Sequence, residues 1–249
     1  MGRLTDKYTL ITGGTSGIGL ATAQAFLAEG AQVAVTGRNP QTRAEAQRVL
    51  GDKAWVIDAD AGDIHVQQRL ADTLATRWPR LDALFINAGD VTHGPLESWQ
   101  ADAWDRLMDT NLKGPFFLIQ ALLPLLNNPS SVILCGSVSA HIGLPTSSVY
   151  AASKAGLLSL ARTLSAELLP SGIRVNGLSP GPVETPALNK LGLDEEALRA
   201  MQEEIIKLVP LGRMGTVREL AKAALYLASD ESSYTVGTDL LVDGGVGSL

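Results

Sequence analysis

A tyrosine and a lysine stand four residues apart, at positions 150 and 154, in a segment whose pattern predicts a helix over residues 148–169. Residues four apart share one face of a helix, so the phenol of Tyr150 and the ammonium of Lys154 are expected to lie side by side. A free phenol has a pKa near 10, and lowering such a value to about 7 takes roughly 4 kcal/mol. One ammonium about 4 Å away supplies that energy at an effective dielectric of about 20. The pair is therefore a candidate for proton transfer at neutral pH.

Two further polar residues accompany this pair. Ser137 follows the fifth predicted strand, 13 residues before Tyr150, and Asn111 lies near the break of a predicted helix. Taken singly, Ser137 is explained as a turn hydroxyl and Asn111 as a helix cap. Tyr150 alone is equally explained by core packing, and Lys154 by a solvated helix position. Whether the four residues form one site depends on the rest of the chain, beginning with the glycine-rich turn at residues 12–19.

That turn reads Thr-Gly-Gly-Thr-Ser-Gly-Ile-Gly and lies between the first predicted strand and a predicted helix. Glycines let the backbone approach phosphates, and a helix N-terminus directs free N–H groups and a positive dipole end at their charge. The glycines fall as G-x-x-x-G-x-G and not as the G-x-G-x-x-G of the common dinucleotide fingerprint. The turn still predicts a pyrophosphate site, with candidate contacts at Gly13, Thr15, Ser16, Gly17, Ile18 and Gly19.

The Thr-Gly-x-x-x-Gly-x-Gly pattern resembles that of the short-chain dehydrogenase/reductase family in its compact form, close to the 249 residues of this chain. The likeness covers nearly the whole chain and includes the family's Asn, Ser, Tyr, Lys tetrad. It implies an oxidoreductase in which Tyr150 is the general acid in reduction and the general base in oxidation. Lys154 would lower the pKa of Tyr150 and bind the nicotinamide ribose, Ser137 would orient the substrate oxygen, and Asn111 would hold a proton-relay water. Ser139 has a spacing to Tyr150 that the family does not use.

Further cofactor residues follow from the same resemblance. The Asn87-Ala88-Gly89 motif after the fourth predicted strand would lie against the adenosine part of the cofactor. Asp60, which precedes Ala61, resembles the family's adenine-contacting aspartate, and Asp58 is the alternative for that role. After the sixth predicted strand, a Pro-Gly turn and a downstream threonine would contact the nicotinamide carboxamide, through Pro180, Gly181, Val183 and Thr185.

Cofactor preference is set at the end of the second predicted strand. A carboxylate there would bind the ribose 2′-hydroxyl of NAD and repel a 2′-phosphate. This chain has Gly37 at that position, followed by Arg38 and Asn39, and a guanidinium is a fork of donors suited to phosphate. We therefore predict NADP(H) as the preferred cofactor, with NAD(H) still usable. Thr15 and Ser16 stand where many NADP-dependent relatives have a basic residue, so Arg38 would act largely alone.

Near-continuous apolar runs alternate with helical patterns along the chain, as expected of strands buried on both faces of a parallel sheet. The fold class predicted is α/β, a Rossmann-like, doubly wound, seven-stranded parallel sheet with helices on both faces. The predicted strands are 8–11, 32–36, 54–57, 83–86, 131–134, 173–178 and 240–242. The predicted helices are 19–29, 42–50, 63–77, 101–126 with a break at Gly114-Pro115, 148–169 and 217–228.

One sheet needs all seven strands, and no linker or repeat divides the chain, so residues 1–249 are predicted to form a single catalytic domain. Residues 184–215 interrupt the alternation with prolines, glycines and a predicted helix over 194–208. We interpret this stretch as an inserted substrate-binding flap, because long connections beyond strand ends often close over a ligand. A plain surface excursion is the alternative.

Composition excludes several classes of function. Twenty basic against 26 acidic residues give a net charge of −6, the wrong sign for nucleic acid or anionic lipid. One cysteine and three scattered histidines argue against an internal disulfide and a transition-metal site. The longest apolar stretch, 116–126, is far shorter than the roughly 18 residues of a membrane span, so a cytoplasmic location is expected.

Substrate and assembly are only outlined by the sequence. Candidate pocket segments, at 93–96, 141–144 and 188–201, are mostly apolar and contain no cluster of cations, which favours a neutral ketone or aldehyde, or the corresponding secondary alcohol. The family resemblance implies a homotetramer built on the helix after Asn111 and the helix of Tyr150. A non-catalytic NADP-binding regulatory or scaffolding protein is the alternative function.

Overall fold

A computed structural model describes residues 2–185 and 194–249. Its main sheet is parallel and has the strand order β3-β2-β1-β4-β5-β6-β9. The strands are β1 (Tyr8–Thr12), β2 (Gln32–Gly37), β3 (Ala54–Asp58), β4 (Leu81–Ile86), β5 (Leu126–Cys135), β6 (Ile173–Pro180) and β9 (Asp239–Val242). The predicted seven-stranded parallel sheet is confirmed.

Helices cover both faces of this sheet. They are α1 (Gly17–Ala28), α2 (Pro40–Leu50), α3 (Ile64–Ala75), α4 (Ala101–Met108), α5 (Gly114–Leu122), α6 (Ser148–Leu168), α7 (Glu195–Lys207) and α8 (Val217–Ala228). One buried cluster joins the sheet to α1, α2 and α8, and a second joins it to α3, α5 and α6. The doubly wound architecture is therefore confirmed, with one core on each face.

The predicted helix over 101–126 is wrong in two places. Helix α4 ends before a π-helical turn, Asp109–Lys113, so the irregularity lies ahead of the predicted break at Gly114-Pro115. The helical run then ends at Leu122, and Leu126 already belongs to β5, where it pairs with Leu81. Pro124 has no backbone N–H with which to continue the hydrogen bonds of the helix, so the helix ends before it. The apolar residues that follow then pair as a strand.

The segment interpreted as a flap begins and ends on a small two-stranded parallel sheet. Its strands are β7 (Val183–Glu184) and β8 (Gly215–Thr216). Helix α7, which Asp194 caps by accepting a hydrogen bond from the Ala197 N–H, agrees with the predicted helix over 194–208. Residues 186–193, with part of the pocket segment 188–201, lie outside the described residues.

Parallel strands direct their carboxyl ends to one edge of the sheet, and in open α/β sheets ligands bind there. The glycine turn follows β1, Arg38 follows β2, Asn87 follows β4 and Ser137 follows β5. The fold therefore brings the polar residues singled out from the sequence to one edge. In the described part of the chain, no helix has the length and apolar character to cross a membrane.

Candidate active site

A cleft of about 420 Å³ opens at this edge, a size typical of small-molecule sites. Its wall contains most of the predicted cofactor residues: Gly13, Thr15, Ser16, Gly17, Ile18, Arg38, Asn39, Asp60, Ala61, Asn87, Ala88, Gly89 and Thr185. The predicted cofactor residues that do not line it are Gly19, Tyr150, Lys154, Pro180, Gly181 and Val183. The catalytic candidates Asn111 and Ser137 do not line it either. The cleft thus joins the ends of β1, β2, β3 and β4 and reaches Thr185 near the flap.

The glycine turn forms an anion-binding end on this cleft. Helix α1 begins at Gly17, and Ser16 at its N-cap makes no side-chain cap, so the first helical N–H groups stay available. A Cβ on Gly19 would lie 2.4 Å from the Gly13 carbonyl oxygen and 2.6 Å from Asn87 Nδ2. Gly19 therefore acts by letting helix and strand ends pack closely, and not by facing the cleft.

Asn87 fastens the end of β4 to the glycine turn. Its Nδ2 donates to the carbonyl oxygens of Thr12 at 3.1 Å and Gly13 at 3.2 Å. The Thr12 hydroxyl accepts from the backbone N–H groups of Asn87 at 3.0 Å and Ala88 at 3.1 Å. Thr12 is a positioning residue that the sequence analysis did not single out, although it opens the glycine motif.

The second strand ends in a charged pair on the cleft wall. Arg38 Nη1 lies 3.4 Å from Asp60 Oδ2, and the Arg38 side chain is 64% exposed. Of the two aspartates considered for adenine contact, Asp60 lines this cleft, whereas Asp58 is paired with Arg43 and does not. The Asp60 Oδ1 also accepts from the Gly62 N–H at 2.9 Å, which fixes the carboxylate.

The Thr15 side chain packs closely against Gly37 at the end of β2. A Cβ on Gly37 would lie 2.6 Å from the Thr15 hydroxyl oxygen, so a carboxylate side chain at that position would require rearrangement. The Thr15 hydroxyl lies 3.1 Å from that of Thr42. Asn39 Oδ1 accepts from the Gln41 and Thr42 N–H groups and caps α2. Asn39 therefore has a structural task beside its place on the cleft wall.

Tyr150 and Lys154 stand one turn apart near the start of α6, as the spacing predicted. Lys154 Nζ is 5.7 Å from the centre of the Tyr150 ring. Lys154 is only 3% exposed, and its Nζ donates to the carbonyl oxygen of Cys135 at 2.7 Å. Because that acceptor is a neutral carbonyl, this hydrogen bond places no opposite charge between Lys154 and the neighbouring Tyr150 phenol. Burial raises the pKa of the Cys135 thiol, with Lys154 opposing it only in part, so the thiol is no nucleophile at neutral pH.

Asn111 lies within the π-helical turn and is fully buried. Its Oδ1 accepts from the Asp90 N–H at 2.7 Å, and its Nδ2 donates to the Asp90 carbonyl at 2.9 Å and to Ser153 Oγ at 3.1 Å. The Ser153 hydroxyl donates to the Tyr150 carbonyl at 2.7 Å. The side chain thus joins the loop after β4 to α6, and π-helical turns of this kind are frequent at functional sites.

Ser137 lies beyond the end of β5 and is 8% exposed. Its hydroxyl lies 3.2 Å from Ser139 Oγ and accepts from the Ser139 N–H at 3.1 Å. Ser139, which the spacing set aside, therefore orients the Ser137 hydroxyl. No signal in the sequence distinguishes such a supporting serine from a turn residue. Among the described residues no group of histidine, cysteine and acidic side chains has the arrangement of a metal site.

Comparison with known proteins gives the chain its family. A family model described as enoyl-(acyl carrier protein) reductase matches residues 13–247. The uncharacterized oxidoreductase YxbG of Bacillus subtilis is 38% identical over 253 residues, covering 99% of this chain and 93% of its own. A solved short chain dehydrogenase/reductase family protein is 38% identical with a TM-score of 0.87, covering 99% of this chain and 100% of its own. The RhlG/NADP active-site complex of Pseudomonas aeruginosa is 34% identical with a TM-score of 0.90, covering 98% and 97%.

These matches extend over almost the whole length of the chain, and the solved structure agrees with its fold. The resemblance noted in the sequence is confirmed: the chain belongs to the short-chain dehydrogenase/reductase family of oxidoreductases.

Proposed function

We propose that the chain is an NADP(H)-dependent reductase of a neutral ketone or aldehyde, which also oxidises the corresponding secondary alcohol. The observation that carries this proposal is the buried ammonium of Lys154 beside the Tyr150 phenol, at the strand edge where the cleft opens. Bound NADPH would supply the hydride that the reaction requires. Everything else in the reaction is assigned to side chains of this chain.

The cleft wall fits a dinucleotide. Free N–H groups at the start of α1 and the hydroxyls of Thr15 and Ser16 suit a pyrophosphate. Asp60 and the Asn87-Ala88-Gly89 segment line the same cleft and would lie against the adenosine part. Thr185 also lines it, with Pro180, Gly181 and Val183 just before it in the chain, and these residues would hold the nicotinamide carboxamide.

Tyr150 would donate its phenolic proton to the carbonyl oxygen as the hydride reaches the carbon, and would accept it in the reverse reaction. The Lys154 ammonium would stabilise the phenolate that remains, with less screening than at the surface because it is buried. Ser137 would donate a hydrogen bond to the same carbonyl oxygen. Asn111 would bind a water that links Lys154 to solvent, while its side chain keeps the loop at Asp90 against α6.

NADP(H) is the proposed cofactor because Arg38 stands on the cleft wall and the neighbouring position at the end of β2, Gly37, has no side-chain carboxylate to repel a 2′-phosphate. The NADP complex of the related Pseudomonas aeruginosa structure supports a nicotinamide cofactor for this family fold. Asp60 is the competing partner of Arg38 and would have to release it, at least partly, to the phosphate.

A homotetramer is part of the proposal. An exposed apolar groove of about 520 Å³ lies between the π-helical turn, α5 and α6. Met108, Leu112, Phe116, Phe117 and Leu160 line it. Phe116 is 38% exposed, and a groove of large apolar side chains on these helices is what a helix-packed subunit contact would cover. We also propose that residues 1–249 form one catalytic domain, with 184–215 as its substrate flap.

The test is NADPH oxidation, followed by absorbance, against a panel of ketones and aldehydes with NADH in parallel. The Tyr150→Phe protein keeps the ring and removes the proton, and Tyr234→Phe, at a fully exposed position, is the matched control. Turnover that prefers NADPH and is lost only with Tyr150→Phe supports the proposal. Tight NADPH binding without turnover of any carbonyl compound refutes it and favours a regulatory or scaffolding role.

A further inference from the structure

The loop after β4 places a histidine against the proposed proton donor. The ring centres of His93 and Tyr150 are 5.0 Å apart, and the planes are tilted by 55°. His93 comes from a different segment from the four residues of the tetrad, and the sequence identified it only as one member of an apolar pocket segment. An imidazole this close to the phenol lies near any substrate whose carbonyl oxygen reaches Tyr150.

The loop that carries His93 is held at both sides. The Gly94 N–H donates to the Thr146 carbonyl at 2.9 Å, and the Gly94 carbonyl accepts from Trp99 Nε1 at 3.1 Å. Thr146 has a φ of 64°, in the left-handed region that side chains other than glycine rarely adopt. Such conformations persist only where the surroundings enforce them, and they concentrate at functional sites.

Asp90 secures the other end of this loop. Both its backbone groups bond to Asn111, and its carboxylate accepts from the Thr92 N–H at 2.8 Å and from Arg106 Nε at 3.1 Å. Although burial raises it, hydrogen bonds from Thr92 and Arg106 hold the pKa of Asp90 below its usual value, so the carboxylate stays charged. His93 is therefore carried by a loop that is fixed before any ligand binds.

Ser147 decides which nitrogen of His93 carries the proton. Its hydroxyl lies 2.8 Å from His93 Nδ1, and Ser147 is 1% exposed. Among the described residues the Ser147 hydroxyl contacts no other hydrogen-bond acceptor, so we infer that it donates its proton to Nδ1. Burial lowers the pKa of His93, which keeps the ring neutral at neutral pH. The neutral ring then carries its proton on Nε2, which has no partner in the described part of the chain.

We propose that His93 is a substrate-contacting residue whose Nε2–H donates a hydrogen bond to a second oxygen of the substrate, near the reacting carbonyl. This inference rests on the proposed reductase function. The reacting oxygen has two lone pairs, and Tyr150 and Ser137 already supply two donors to it. The donor on His93 is therefore left for a neighbouring oxygen. The substrate class that satisfies all three donors is a hydroxyketone or a dicarbonyl compound.

Diacetyl and butanone are a matched pair of probes, because they differ by that second oxygen. His93→Phe keeps an aromatic ring against Tyr150 and removes the donor. We expect it to lower kcat/KM for diacetyl by about 10- to 100-fold and to change that for butanone by less than about threefold. His93→Gln, whose amide is also a donor, should recover part of the loss. His65→Phe, at an exposed position on α3, is the control.

Ser147→Ala tests the fixed tautomer separately. It should reduce kcat/KM for diacetyl, by less than His93→Phe does. Equal losses on both ketones in His93→Phe, or no loss on either, would overturn the inference while leaving the reductase function intact. Absence of Tyr150-dependent turnover with every carbonyl compound would refute the proposed function, and this inference with it.

Discussion

Replacement of Arg38 by alanine should weaken NADPH binding and leave NADH binding almost unchanged. A guanidinium bound to a phosphate is a charge-assisted hydrogen bond, worth about 1.5–3 kcal/mol where it is well formed. Two features of the structure reduce that figure. The Arg38 side chain is 64% exposed, so solvent screens the contact, and its pair with Asp60 at 3.4 Å must be exchanged for the phosphate.

An exposed ion pair is worth at most about 1 kcal/mol, so Arg38→Ala is expected to weaken the free energy of NADPH binding by about 1–2 kcal/mol. At 1.4 kcal/mol per factor of ten, this corresponds to a Kd for NADPH raised by about 5- to 30-fold. The same reasoning predicts the opposite effect on NADPH affinity for Asp60→Asn. That change frees Arg38 from its partner and removes a negative charge from the cleft wall, so NADPH should bind more tightly.

The assay is cofactor titration by isothermal calorimetry, with both NADPH and NADH for each protein. Arg48→Ala is the matched control, because Arg48 is an exposed arginine on neighbouring α2 whose partner is Glu45. Equal effects of Arg38→Ala on the two cofactors would contradict the assignment of Arg38 to the 2′-phosphate. Wild-type preference for NADH would contradict the choice of NADP(H) altogether.

Four other outcomes are expected. Lys154→Met, which keeps the length of the side chain and removes its charge, should lower kcat by about 10²-fold or more, because the phenolate loses its buried counter-charge. Phe116→Glu places a charge in the groove beside α5 and should reduce the mass measured by light scattering below that of the wild-type assembly. Thr216→Ala removes the side-chain cap of α8 and should cost about 1 kcal/mol in urea unfolding. Hydrogen bonds from Arg213 and then Thr216 lower the pKa of Glu219 from 4.5 to about 2. The contribution of the Glu219 carboxylate to folding stability is therefore complete above pH 4.5 and is lost as the pH falls toward about 2.

Two of these outcomes have a control variant in the same chain. An unchanged kcat in Lys154→Met would mean that the lysine takes no part in proton transfer, and Lys222→Met, at an exposed position on α8, shows the effect of the substitution alone. A wild-type mass equal to that of one chain would contradict the proposed tetramer. Thr163→Ala, at an exposed position within α6, should not reduce stability, and equal losses in Thr163→Ala and Thr216→Ala would contradict the capping argument.

The strands were predictable because parallel strands are buried on both faces and their apolar runs are almost continuous. The run at 8–11, for example, becomes Tyr8–Thr12, between two neighbouring strands of the sheet. The end of the helix over 101–126 was not predictable in the same way. An apolar run reads alike in a helix and in a buried strand, and the pairing of Leu126 with Leu81 depends on residues far away in the chain.

The candidate site shows the same difference between local features and contacts that are distant in sequence. Tyr150 and Lys154 lie within one helix, so their spacing alone places them on one face. The contacts of His93 with Ser147, of Ser137 with Ser139 and of Arg38 with Asp60 depend on loop conformations that have no periodicity. Sequence spacing therefore predicts the proposed proton-transfer pair, whereas the groups proposed to orient it and to select the substrate require the three-dimensional structure.

The central claim is that the Tyr150 phenol transfers the proton. The most direct measurement compares kcat/KM for carbonyl reduction in the Tyr150→Phe protein and the wild type, with the Kd for NADPH determined in the same preparations. We predict a loss of about 10²- to 10⁴-fold in kcat/KM at an unchanged Kd. Turnover by Tyr150→Phe within a few-fold of the wild type would contradict the account.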